Sequence, residues 1–232
     1  MKKIYPFSFY FLYFGAGACF FPYIVLYYQS LGFTGAQIGL LFAISPLITL
    51  VGAPFWTGIA DTSHRHKLVM SITLLAAVGL VSLYPFAKTI AAVLMLVSLY
   101  SFMIAPVNSF ADTATMTMLG DQKDMYGRVR VGGTLGWGIA APIAGLVIAK
   151  FGLSWAFWSY AALLFISFLV SQQFVFSEVR QQVSVRHGMR ELFSNRRMVL
   201  FLVAAFVTGM ALSSINSFLS AYMNELGINK SV

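Results

Sequence analysis

Long apolar runs separated by short polar links make up most of the chain. Seven runs read as helices: about Tyr5 to Gln29, Gln37 to Ala60, Leu68 to Ala87, Ile90 to Leu119, Val129 to Ala149, Leu153 to Phe176 and Met198 to Tyr222. About 20 apolar residues at ~1.5 Å per residue cross the ~30 Å hydrocarbon core of a bilayer, so each run predicts a transmembrane helix. The apolar stretches are continuous rather than alternating, which argues against a β-barrel. The first run contains no small-residue cleavage site and is read as a retained helix, not a signal peptide. The links are a few residues long, except for Ser177 to Arg197. This grouping predicts an all-α integral membrane protein. A six-helix N-terminal bundle occupies residues 1–176, a linker 177–197, and residues 198–232 hold a seventh transmembrane helix that starts a second, incomplete bundle. The chain is expected to be truncated, a fragment of a protein nearly twice as long.

Composition strengthens this picture. Hydrophobic residues make up 59% of the chain and charged residues only 9%, where a soluble domain carries about a quarter charged. The net charge of +8 raises the question of nucleic acid, and the placement of the charges answers it. With a cytoplasmic N-terminus, twelve of the 15 basic residues fall on the inside: Lys2, Lys3, Arg65, Lys67, Lys123, Arg128, Arg130, Arg180, Arg186, Arg190, Arg196 and Arg197. Only Lys88, Lys150 and Lys230 fall outside. Positive charge accumulates in cytoplasmic loops, so the bias predicts a multi-pass protein with its N-terminus inside; the membrane is expected to be a bacterial-type plasma or inner membrane. No nucleic-acid partner is needed. The Arg-rich linker reads as a solvated segment near anionic lipid. Cys19 is alone, which excludes an intramolecular disulfide and a cysteine metal cluster. His64 and His66 sit in a basic turn without carboxylate or thiolate ligands at metal spacing, so no metal is expected there. Neither His-Glu-x-x-His nor Gly-x-Ser-x-Gly occurs, and no enzyme activity or cofactor is expected.

Two charges break the pattern of the runs. Asp112 lies several residues before the fourth run ends, and Arg130 lies where the fifth begins. A charge inside a span is costly, and such residues usually face a bundle interior or a water-filled cavity. Asn108 lies one turn before Asp112 and can share its face. Trp137 lies seven residues after Arg130 and shares a face with it, with Gly133 and Thr134 between. Arginine offers fixed donors for hydroxyl or carboxylate oxygens, and tryptophan a flat apolar surface. Asp112, Arg130, Trp137 and Asn108 are therefore candidate solute contacts, with Tyr23 of the first helix as a further cavity residue. A structural ion pair between Asp112 and Arg130, a snorkelling Arg130 and a packed Trp137 are the alternatives. Gly132, Gly133, Gly136, Gly138 and Gly145 read as close-packing positions, and Pro142 as a bend.

The turn after the second run, Gly58-Ile-Ala-Asp61-Thr-Ser-His-Arg65-His-Lys67, resembles the signature loop of the major facilitator superfamily. Thr62 and His64 stand where that family usually has Arg and Gly. A carboxylate at Asp61 can accept backbone N–H groups at the next helix start or pair with a neighbouring arginine. Gly58, Asp61 and Arg65 are candidates for a latch that shuts the cytoplasmic side. Gly127-Arg-Val-Arg-Val-Gly-Gly-Thr-Leu-Gly-Trp137 resembles the start of the fifth helix in the oligosaccharide–proton symporters and related phenylpropionate permeases. Phe20-Phe-Pro-Tyr23 and Ile38-Gly-Leu-Leu-Phe42 are similar to the same group. The resemblance implies the major facilitator fold and proton symport, with the main proton-linked residues in a second half. It also implies that Asp112, Arg130 and Trp137 bind solute, although sugar-binding members carry Glu at the position of Asp112. The expected function is secondary active transport of a small organic solute, such as a sugar or aromatic acid, by alternating access with a C-terminal six-helix bundle as partner. The alternative is a complete seven-helix receptor or assembly partner without transport. Packing of the seventh helix discriminates the two.

Overall fold

The computed structural model describes residues 4–177, Ser194 and residues 196–225. Most of the expected linker, 178–193 and 195, therefore lies outside the described residues. Nine α-helices carry the described chain: α1 (Ile4–Phe20), α2 (Ile24–Ser30), α3 (Gly35–Ser63), α4 (His66–Leu83), α5 (Ile90–Ile104), α6 (Val107–Leu119), α7 (Tyr126–Phe151), α8 (Ser154–Ser171) and α9 (Arg196–Glu225). Single 3-10 turns at Tyr84–Phe86 and Lys123–Met125 extend α4 and precede α7. Within residues 4–171 these elements form six spans long and apolar enough to cross a membrane: Ile4–Ser30, Gly35–Ser63, His66–Phe86, Ile90–Leu119, Lys123–Phe151 and Ser154–Ser171.

Local chemistry fixes several of the boundaries. Thr34 starts α3 with a reciprocal cap: its hydroxyl accepts the Gln37 N–H at 3.4 Å while Gln37 Oε1 accepts the Thr34 N–H at 2.9 Å. Thr89 caps α5 by accepting the Ala92 N–H at 3.3 Å. Two expected helices are each divided in two. The first breaks at Phe21–Tyr23 around Pro22 and the fourth at Ala105–Pro106, because proline brings no N–H to the helix ladder.

The sixth helix ends at Ser171, not at the expected Phe176. Lys67 Nζ donates to the Gln172 carbonyl, and Gln172 Nε2 donates to Ser71 Oγ at 2.9 Å, so this corner is tied to the first turns of α4. The non-helical residues that follow pack on other helices. Phe174 packs its ring on Phe9 of α1, Phe176 stacks on His66 of α4, and Thr117 of α6 hydrogen-bonds Ser177 at 3.3 Å. Their apolar character continues the run in sequence, but it is spent on packing against other helices rather than on another helical turn.

The bundle is organised around α1, whose span is the most buried of the six. It packs chiefly on α7 and then on α8, while α3 lies on α5 and α4 on α5 and α8. Close approach of α1 and α7 depends on glycine. A Cβ on Gly136 would stand 1.9 Å from the Phe11 carbonyl oxygen, one on Gly132 would stand 2.7 Å from that of Phe7, and one on Gly133 would stand 2.7 Å from the Phe14 ring. Gly138, expected to be a packing position as well, faces open space. Aromatic rings contribute to the core beside aliphatic side chains: Phe20 stacks on Tyr160, and Tyr84 on Phe157. Their polar tips are paired, Tyr100 with Tyr160 and the Tyr27 hydroxyl with the Tyr84 carbonyl at 3.1 Å. No buried side-chain nitrogen or oxygen among the described residues lacks a partner.

The seventh run is helical as expected, from Arg196 to Glu225. Its main contact with the bundle is with α2, and residues 196–204 and 206–212 lie outside the hydrophobic core. The receptor alternative requires seven helices that share one core, and residues 196–204 and 206–212 of α9 do not join it.

Candidate functional site

Three spans bring four polar side chains to one point. Tyr10 comes from α1, Asp112 from α6, and Tyr126 and Arg130 from the first two turns of α7. Asp112 lies seven residues before the end of α6, or ~10 Å at ~1.5 Å per residue. The site thus sits inside the end of the bundle that carries the α3–α4 turn. Asp112 Oδ1 accepts three hydrogen bonds, from Tyr10 at 2.6 Å, from Arg130 Nη1 at 2.8 Å and from Tyr126 at 2.9 Å. Arg130 Nη1 also donates to the Tyr126 hydroxyl oxygen at 2.6 Å. The guanidinium lies over both tyrosine rings, 5.6 Å from the centre of Tyr10 and 5.9 Å from that of Tyr126, within range of a cation–π attraction.

This arrangement lowers the cost of two charges in apolar spans. The aspartate and arginine neutralise one another, and charge-assisted hydrogen bonds replace the water each would lose. The cluster is nevertheless open. The Arg130 side chain is 43% exposed and that of Asp112 is 38% exposed. Nη2 and Nε of Arg130 and Oδ2 of Asp112 make no hydrogen bond to the described residues. A pair satisfied on one side and open on the other can offer donors and an acceptor to a solute.

The other sequence candidates lie apart from this cluster. Asn108 is exposed one turn before Asp112 on α6, on the same open side of that helix. Trp137 lies ~10 Å further along α7, by the same rise per residue. Its ring stacks on Phe21 at 6.4 Å, and a Cβ on Gly17 would stand 3.1 Å from it. Tyr23, in the break between α1 and α2, packs against Cys19, Ala144, Ile148 and Ala156 near the opposite end of α1. On α7 the open face runs through Arg130, Thr134 and Gly138, all exposed, whereas Gly133, expected on that face, is turned into Phe14 of α1.

Gly58, Asp61 and Arg65 occupy the α3–α4 corner, and all three are exposed. Asp61 belongs to the last turn of α3, because the helix runs on to Ser63 and stops at His64, which takes a left-handed backbone with φ 55°. That geometry favours glycine. The Asp61 carboxylate meets His66 Nε2 at 2.8 Å, rather than a backbone N–H or an arginine. Arg65 has no ion-pair partner among the described residues.

Two members of the cluster, Tyr10 and Tyr126, were not among the sequence candidates. Tyr126 carried a usable signal, since it lies four residues before Arg130 and helical residues four apart share a face. Tyr10 carried none. It is 102 residues from Asp112, in a run crowded with other aromatic residues.

Comparison with known proteins places this arrangement in context. The model of the MFS_1 like family matches residues 7–232. The chain is 26% identical over 228 residues to the maltose permease of Geobacillus stearothermophilus, covering 97% of the chain and 58% of that protein. It is 29% identical over 222 residues to the multidrug resistance protein MdtG of Salmonella arizonae, with coverages of 90% and 54%. It is 22% identical over 200 residues to the uncharacterized transporter YwbF of Bacillus subtilis, with coverages of 85% and 50%. The chain therefore spans about half the length of the curated relatives it matches. In three dimensions it superposes on the crystal structure of the nucleoside transporter NupG with a TM-score of 0.76 and 20% identity, over 96% of this chain and 57% of that one. At that identity the likeness concerns the fold. The family match over nearly the whole length, the six spans and the shared fold lead to one conclusion: the chain is a multi-pass membrane protein that belongs to the MFS_1 like family of the major facilitator superfamily.

Proposed function

We propose that this chain supplies the N-terminal bundle, the linker and the seventh helix of a secondary active transporter, and that its Asp112–Arg130 cluster is one wall of the solute site. A C-terminal six-helix bundle would supply the facing wall. Rocking of the two bundles would expose the site to each side of the membrane in turn. Relatives whose names describe a permease or a transporter support this reading. The observation that carries it is the half-open ion pair: a carboxylate bonded three times on one oxygen, with its second oxygen and two guanidinium nitrogens unbonded among the described residues, inside three membrane spans.

The solute would be small, organic and polar, such as a sugar or an aromatic acid. The balanced charge of the pair favours a hydroxylated neutral solute, which can accept from Arg130 and donate to Asp112 Oδ2. An acid would bring a second negative charge to Asp112. Asn108 and Thr134 extend the polar face beside the pair. Proton symport is part of the proposal, with coupling groups in the second bundle. The N-terminus and the α3–α4 corner would be cytoplasmic. The corner, through Gly58, Asp61 and Arg65, would close that side in one state. A receptor or assembly partner finds no support among these relatives.

Uptake of radiolabelled maltose and 3-phenylpropionate by cells producing the complete transporter tests the reading. We expect at least one probe to accumulate, and Asp112→Asn to abolish its uptake while membrane insertion is unchanged. Normal uptake by that variant, or accumulation of neither probe, contradicts the proposal.

A further inference from the structure

An arginine–aspartate pair that is roughly two-fifths exposed is a weak restraint. Such pairs contribute little to stability, and both side chains are flexible enough to part. A binding site needs its contacting atoms held to about half an ångström, so something else must hold this pair. The two tyrosines meet that need. Each has two side-chain torsions and a rigid ring, and each places one hydroxyl on the same oxygen of Asp112. Tyr10 is fully buried, with its ring between Phe9 and Phe14 at 6.1 and 6.4 Å. Its hydroxyl therefore marks a fixed point on α1 to which the α6 carboxylate is pinned. Tyr126 fixes the other side. It donates to Asp112 and accepts from Arg130, so it bridges the pair within one helix turn of α7.

We infer that Tyr10 and Tyr126 are positioning residues of the solute site: their hydroxyls occupy Oδ1 of Asp112 and hold Nη1 of Arg130 against it. The second carboxylate oxygen and the outer guanidinium edge are then presented in one fixed orientation. This rests on the reading of Asp112 and Arg130 as solute contacts. It assigns the geometry of that contact to two side chains on different helices, neither of which has to touch the solute.

The structure also provides a mild way to test it. Tyr10→Phe removes a hydroxyl and keeps the ring under Arg130. Thr115, whose hydroxyl lies 3.4 Å from that of Tyr10, already donates to the Ala111 carbonyl at 2.7 Å, so the change strands no buried donor. Tyr126→Phe leaves Arg130 its bond to Asp112. Initial uptake rates of maltose and 3-phenylpropionate are measured in the complete transporter with Tyr10→Phe, Tyr126→Phe and Asp112→Asn. A pair that keeps its contacting orientation only about a tenth of the time binds its solute about tenfold more weakly. Each tyrosine variant is thus expected to raise the half-saturating concentration about tenfold, with the maximal rate and the amount in the membrane little changed. A purely structural role would lower the amount in the membrane and leave the half-saturating concentration alone. Unaltered half-saturation in both tyrosine variants, with uptake lost in Asp112→Asn, overturns this inference and leaves the proposed function standing. Unaltered uptake in all three variants overturns both.

Discussion

The four side chains of the cluster have different tasks, and Arg130 is the hardest to replace. Its Nη1 serves Asp112 and Tyr126 together while its other nitrogens make no hydrogen bond to the described residues. A lysine has a compact ammonium without a planar fork. It could pair with Asp112, but it could not also keep a second edge at a fixed angle to a solute. Arg130→Lys is therefore expected to lower uptake nearly as far as Asp112→Asn does. A mild effect in the same transport assay would favour an arginine that only snorkels to water. Asp112 and Arg130 could be read from the sequence because charges stand out in apolar runs. Their satisfied side could not be read, because Tyr10 reaches Asp112 only through the packing of α1 on its neighbours. His64 was legible as a departure from the family pattern. The left-handed turn it adopts explains why glycine is the more comfortable residue there.

At the level of elements, α1 and α7 form the frame of the site, and their crossing is set by three glycines. The distances separate positions that look alike in sequence. A Cβ at Gly136 would lie 1.9 Å from a backbone oxygen, where no side chain can give way, whereas Gly138 has nothing within 4 Å. Gly136→Ala must push the two helices apart, and overpacking of this kind costs about 1–3 kcal/mol or more. Thermal unfolding in detergent should show a lowered Tm for Gly136→Ala, and no loss for Gly138→Ala. Equal Tm values would mean that α1 and α7 are not in contact there. Sequence alone could not assign these roles, because the spacing of small residues marks a packing face without fixing its phase against the neighbour. The same limit explains the sixth helix. Phe174 and Phe176 prolong its apolar run, but they pack on α1 and α4, and only those helices reveal where α8 ends.

For the whole molecule, the charge bias gives an orientation and the exposed aromatic residues mark a membrane boundary. Lys88 and Lys150 mark one end of the bundle, and Phe86, Phe151, Trp155 and Trp158 are exposed nearby, as expected where rings meet the membrane–water boundary. Reporter fusions at Lys88 and Lys150 should read as external and one within Ser184 to Arg190 as internal. The reverse pattern would invert the proposed orientation, and with it the side from which Asp112 and Arg130 are reached. The six-span architecture was legible because each span is a largely apolar run of 18 to 30 residues, close to or above the about 20 that the bilayer requires. The two breaks at Pro22 and Pro106 were less so, since a proline can bend a helix without dividing it. The central claim, that the half-open pair contacts solute, is tested most directly by equilibrium binding to the purified complete transporter. The radiolabelled probe that cells accumulate is titrated against the unaltered protein and Asp112→Asn, with thermal unfolding of both as a control for folding. A Kd raised about a hundredfold at unchanged Tm is expected, the scale of a lost charged hydrogen bond at the upper end of its range. An unchanged Kd would contradict it.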